Sequence, residues 1–154
     1  MPSTNPEPKT GLDRTPRQKW MGLLARSAPA RLAALLPELP AHDLLRGPEI
    51  GAVMVQGRVG GTGQPFNLGE MTVTRCSVRL GDAVGHAHVQ GRDRSHAIRA
   101  AVMDALMQTE QAASFEATVL APLKAEESAA RALRAAKAAA TKVEFFTLVR
   151  GEDK

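Results

Sequence analysis

Apolar positions recur along this chain with two different periods. Near the N-terminus the spacing is helical: Thr15 precedes Pro16, an N-cap followed by a proline at the first helical position, and Trp20, Leu23 and Leu24 return at three- and four-residue intervals. Pro29 opens a second helix carrying Leu32, Leu35 and Leu36, which Pro37 and Pro40 end. The period then falls to two. Residues 50–59 set Val53, Val55 and Val59 against Met54, Gln56 and Arg58; residues 71–80 set Thr74, Cys76, Val78 and Leu80 against Val73, Arg75, Ser77 and Arg79. After a Gly81-Asp82 turn, residues 83–92 set Ala83, Ala87 and Val89 against Val84, His86, His88, Gln90 and Arg92. Three such runs predict an antiparallel meander with one core face and one polar face, and a short run at 43–46 would add a fourth strand.

The helical period returns behind Asp93, a second N-cap. Residues 94–109 predict a helix with Ile98, Val102, Ala105 and Leu106 inward. A further stretch over 111–120 is expected to be interrupted by Pro122, with an Ala-rich helix over 122–140 in which Glu127 is spaced to pair with Arg131. The alanines form a narrow face suited to another helix, in this chain or a partner's. The fold class is therefore α+β: a three- to four-stranded antiparallel meander packed with N-terminal and C-terminal helices. Residues 1–13, polar and Pro-rich, read as a disordered leader to a single domain over 14–154. Phe145, Phe146, Leu148 and Val149 near the C-terminus would be an exposed patch unless docked, and are expected at a partner interface.

Composition narrows the function classes. At 154 residues, 44% hydrophobic and 23% charged, the chain has the make-up of one globular domain. No apolar run approaches the roughly 20 residues of a membrane span, and the N-terminus lacks the apolar core of a secretory signal. Cys76 is the single cysteine, which fits a reducing cytoplasm and allows no cysteine-based metal site. The net charge of +4 sits largely between Arg58 and Arg99, and it is carried by arginine. Aromatic residues make up 3% and tyrosine is absent, so stacking platforms for single-stranded nucleic acid are few. A small anion or an acidic partner suits the guanidinium fork at least as well.

Three constellations could carry chemistry. Gly60, Gly61 and Gly63 could cradle a phosphate, or simply turn a hairpin; they match neither the P-loop nor the dinucleotide fingerprint. Arg75, Arg79, His86, His88, Gln90 and Arg92 share the predicted polar face with Arg58, either to meet anions or as a solvated surface. His86 and His88, with His96 nearby, have a spacing that can hold a metal, but no carboxylate or cysteine completes a set, and no metal site is assigned. Cys76 alternates onto the apolar face and reads as packing. Asp104 interrupts an apolar helix and is either buried against an arginine or a partner, or simply exposed.

The same residues carry a family resemblance. Val59-Gly60-Gly61-Thr62-Gly63-Gln64-Pro65-Phe66, continuing through Gly69 to Thr72-Val73-Thr74-Arg75, is similar to the glycine-rich strand connection of the PhnG family, with valine for the usual methionine. Arg17-Gln18-Lys19-Trp20-Met21, Val89-Gln90-Gly91-Arg92-Asp93, Asp104-Ala105-Leu106-Met107-Gln108 and the segment 143–151 match in register. The resemblance implies a subunit of the bacterial carbon–phosphorus lyase system. Such proteins act with PhnI, PhnH and PhnL to displace adenine from MgATP by methylphosphonate, giving α-D-ribose 1-methylphosphonate 5-triphosphate. It further implies a core complex with PhnH, PhnI and PhnJ, joined by PhnK or PhnL, with the iron–sulfur cluster in PhnJ and no cofactor in this chain. Two roles follow. Arg75, Arg79 or Arg92 with the glycine backbone would bind a triphosphate or phosphonate, or the subunit would serve assembly. No catalytic residue is implied.

Overall fold

The computed structural model describes residues 14–143. Thr15 caps the first helix, α1 (Pro16–Arg26), through a reciprocal box: Gln18 N–H donates to Thr15 Oγ1 at 3.2 Å, and Thr15 N–H donates to Gln18 Oε1 at 2.9 Å. Pro29 opens α2 (Pro29–Leu35). The sheet follows as β1 (Asp43–Arg58), β2 (Pro65–Leu80) and β3 (Ala83–Gln90), antiparallel in the order β1-β2-β3. Asp93 accepts from His96 N–H and caps α3 (Arg94–Leu106). A short α4 (Ala112–Phe115), one π-turn over Glu116–Leu120 and α5 (Ala121–Ala140) complete the described chain. The architecture is α+β, as the two periods predict.

Several details depart from the pattern. The run at 43–46 is no separate strand. It is the start of β1, which keeps pairing with β2 through bulges on either side of Arg46. β1 and β2 are 16 residues each, whereas β3 has 8 and pairs only with Val73 to Leu80. Arg92 lies beyond the end of β3, after Gly91 turns the chain at φ +89°. Pro122 does not interrupt the helical run. The preceding π-turn, in which Ala121 N–H reaches back to Glu116 O, loosens the ladder just where a proline would otherwise collide with it. Glu127 takes Arg26 as its hydrogen-bonded partner at 2.7 Å rather than Arg131, because α5 starts against α1 and a neighbouring element offers the better-placed fork.

α3 is the centre of the core. An inward stripe of Ile98, Val102, Ala105 and Leu106 is too narrow a description, since Ala97, Ala100, Ala101, Met103 and Asp104 are buried too, while Ile98 is only half-buried. One side of α3 meets β2 and β3, and the other meets α1 and α2. Gly85 permits the close approach: a Cβ there would collide with the backbone carbonyl of Ala101 and lie 2.7 Å from Ala105 N. Cys76, Val78, Ala87 and Val89 supply the sheet side; Leu23, Leu24, Leu32, Phe115, Leu120 and Leu123 close the rest.

Two elements leave this body. Beyond the reach of β3, β1 and β2 continue alone as a hairpin arm of about 23 Å, counted from Pro65 to Thr72. α5 is about 30 Å long, and its only buried residue is Leu123; every residue of 128–140 is exposed, Leu133 at 59%. Among the described residues nothing covers either element. No helix in the described chain is long and apolar enough to cross a membrane.

Candidate functional site

The most elaborate polar cluster is buried. Asp104, 0% exposed on α3, accepts from Arg17 Nη2 at 2.7 Å, Arg17 Nε at 3.2 Å, Trp20 Nε1 at 2.8 Å and the backbone N–H of His86 at 2.9 Å. Arg17 also donates to Val84 O at 2.9 Å, and Gln108 Nε2 donates to the same oxygen at 2.8 Å. α1, β3 and α3 are thereby pinned at one point, made possible by the close packing at Gly85. The Asp104 carboxylate is filled by donors from within the chain, so the cluster is a fastening of three elements. The Arg17–Trp20 and Asp104–Gln108 segments, separate in sequence, converge here.

The outer sheet face carries the predicted cations. Arg75, Arg79, His86 and His88 are exposed there, on the side away from α3. Arg75 is engaged by Glu49 across the strands, with Nε and Nη2 each 3.2 Å from Oε2. Ser77 Oγ and His86 Nδ1 lie 2.8 Å apart. Among the described residues Arg79 and Arg92 have no ion-pair partner. Gly91 N–H bonds Thr72 O, so Arg92 begins near the level of Thr72, about 23 Å along β2 from Arg79. The arginines form a string rather than a cup.

Arg58 is not on that face. Register places Glu49 with Arg75 and Val53 with Met71, so the valines of β1 share the outer face, and Arg58 falls on the opposite parity near the arm's end. Alternation shows which residues share a face, but only the pairing register shows which face turns outward. Arg58 Nη1 there donates to Gly63 O at 3.2 Å. Gly60 at φ +61° and Gly61 at φ +84° turn the hairpin, closed by Val59 N–H to Gln64 O at 3.1 Å and Gly63 N–H to Val59 O at 2.8 Å. The glycine turn lies about 33 Å along β2 from Arg75, counted from Pro65, so this chain does not gather turn and arginines around one ligand.

The histidines do not converge either. His96 is buried and donates through Nε2 to Leu24 O at 3.0 Å, on the helical side of the sheet from His86 and His88. Among the described residues no three His, Cys, Asp or Glu side chains stand where they could hold a metal. Cys76 is buried against Arg46 O, and burial pushes its thiol up from the usual range, away from a nucleophile's. Clefts are found among the described residues. One lies between α1–α2 and α5, spanned by Arg26–Glu127 and Arg31–Glu126; the other lies among Leu36, Leu39, Leu80 and Leu106, with Glu38 and Glu110 at its edge. Neither contains a residue singled out as ligand-binding. Phe145, Phe146, Leu148 and Val149, like residues 1–13, lie outside the described residues.

The feature that sequence reasoning missed is the outer face of the arm. Val53, Val55, Met71 and Phe66 share it by register, with only glycines interspersed along the hairpin from Gly51 to Gly57 and at Gly69. The Phe66 ring lies over Gly57, where a Cβ would be 3.3 Å from ring carbons. The alternation of 50–59 was visible, but not that the valine side faces away from the core.

Comparison with known sequences covers body and arm alike. A family of phosphonate-metabolism proteins, described as "Phosphonate metabolism protein PhnG", matches over residues 15–151. A protein of Rhizobium meliloti (strain 1021) named "Alpha-D-ribose 1-methylphosphonate 5-triphosphate synthase subunit PhnG" is 46% identical over 145 residues, spanning 89% of this chain and 90% of that protein. The chain belongs to the PhnG family.

Proposed function

We propose that this chain is a subunit of the carbon–phosphorus lyase core complex, needed with PhnH, PhnI and PhnL for ribose 1-methylphosphonate 5-triphosphate synthesis. The carrying observation is the 46% identity, over 89% of this chain, to a protein named as a subunit of that synthase. In the reaction an oxygen of methylphosphonate forms a bond to the ribose anomeric carbon of MgATP. The bond from that carbon to adenine breaks, and adenine leaves with the electron pair and takes up a proton. MgATP is thus substrate of the complex. The iron–sulfur chemistry of the later C–P cleavage belongs to PhnJ, in keeping with a chain whose one cysteine is buried.

Within that complex we assign this chain an assembly role that supports the active site. The geometry favours it: the titratable core residues are consumed by structural bonds, whereas among the described residues nothing covers the arm or α5. The arginine string and the distant glycine turn do not form one small-ligand grip, so any ligand contact by Gly60, Gly61, Gly63, Arg75, Arg79 or Arg92 is completed by a partner. A stand-alone anion- or nucleic-acid-binding module would need a cationic groove, and the exposed arm instead carries an apolar face. The protein is expected to work in the cytoplasm. Affinity purification through this chain, co-expressed with PhnH, PhnI and PhnJ, should recover all three in fixed ratio. Recovery of this chain alone would contradict the assignment.

A further inference from the structure

Past its first turn, α5 is joined to the body chiefly by charge. Leu123 is its one buried residue, and from Ser128 to Ala140 every residue is exposed, so no buried apolar contact fixes the rest of the helix. Two ion pairs tie it to α1 and α2. Glu127 takes Arg26, at the end of α1, in a two-pronged contact of 2.7 Å and 3.3 Å, and Glu126 takes Arg31 of α2 at 2.7 Å. Between the helices lies a cleft of about 360 Å³, lined in part by Leu23, Leu123 and Ala130, so the pairs span a gap rather than rim a packed seam. All four charged side chains are partly exposed, and exposed pairs contribute little and weaken with salt.

The base of the helix is suited to turning. Over Glu116–Leu120 the chain makes its π-turn, and Pro122 has no N–H to give, so the hydrogen-bond ladder is loosened where α5 begins. Beyond that point the helix can persist unsupported: half of its 20 residues are alanine, and it exceeds the roughly 12–15 residues below which isolated helices are marginal. Glu127 also has a rival partner. Arg131 stands one turn along the same helix and, with Arg26, helps to hold the Glu127 carboxyl below its usual range. Glu126 has no such alternative, since alanines occupy 129 and 130. We propose that α5 is a latched lever: closed, it is held by Arg26–Glu127 and Arg31–Glu126; open, it swings about the π-turn while Glu127 pairs with Arg131 and the cleft widens. The two states lie close in energy, because one exposed pair is exchanged for another and only Arg31–Glu126 is lost outright.

The test uses the full chain with nitroxide labels at Ala34→Cys in α2 and Leu133→Cys in α5, both exposed positions; Cys76 is buried and does not compete for label. Distances from pulsed electron spin resonance should show a dominant short and a minor long population at low salt. The ratio of short to long should fall about fivefold by about 0.5 M NaCl. Glu126→Lys with Glu127→Lys should give that shift at low salt, and adding Arg26→Glu with Arg31→Glu should restore the short population. Arg131→Ala should raise the short fraction by removing the rival partner, which a merely structural Arg26–Glu127 contact would not do. Circular dichroism should report the same helix content throughout. A single distance indifferent to salt, or charge-reversed chains that stay short, would overturn the latch. So would a loss of helix content alongside the long population, because α5 would then be melting rather than pivoting.

Discussion

At the scale of single residues, the body is fastened at Asp104. A carboxylate with no exposure is tolerable only because Arg17, Trp20 and the His86 N–H surround it, and because Gly85 lets α3 come close enough for the last of these bonds. Asp104→Asn keeps the volume but removes the charge and turns an NH2 group toward donors. It should cost about 3 kcal/mol, seen as a lower urea midpoint with an unchanged slope. A loss under about 1 kcal/mol would mean that the ion pair is not what joins α1 to α3. The sequence allowed a buried Asp104 paired with an arginine, but it could not choose which one: Arg17 lies 87 positions away, a separation no periodicity bridges.

At the scale of elements, the short-range patterns carried most of the information. Thr15 and Asp93 cap helices as their positions require, and the face assignments within 71–80 and 83–90 hold. What failed depended on neighbours. Glu127 has an arginine one turn along its own helix, yet Arg26 of α1 takes it. That hydrogen bond holds the Glu127 carboxyl below the usual carboxylate range. A lowered folded-state value stabilises above the unfolded carboxylate's pKa of about 4.3, and the effect is lost as pH falls through the folded value. The pair is partly exposed, so Glu127→Gln should cost only about 0.5 kcal/mol at pH 7. Thermal melts should show that difference shrink as pH falls from 7 through and below the unfolded carboxylate's range. A difference that stays the same throughout acidification would contradict the account.

At the scale of the whole molecule, the described residues form a closed body from which the β1–β2 arm and α5 extend. The fold class was legible because alternating and helical runs are local. The arm was not, because the lengths of β1 and β2 beyond β3 are set by pairing, and the outward turn of Val53 and Val55 by register. Candidate ligand residues were legible as residue types but not as a site, since strand length separates Gly60 from Arg75. The family was legible from motifs, several of which turn out to be fasteners: Arg17 and Trp20 with Asp104, Thr74 with Gly91 O at 2.8 Å, and Asp93 at its cap.

The measurement that bears most directly on the account is adenine release from MgATP and methylphosphonate by PhnH, PhnI and PhnL, assayed with this chain added and with it left out. The account predicts release that depends on this chain and falls to background without it. Equal release in both reactions would contradict its place in the synthase.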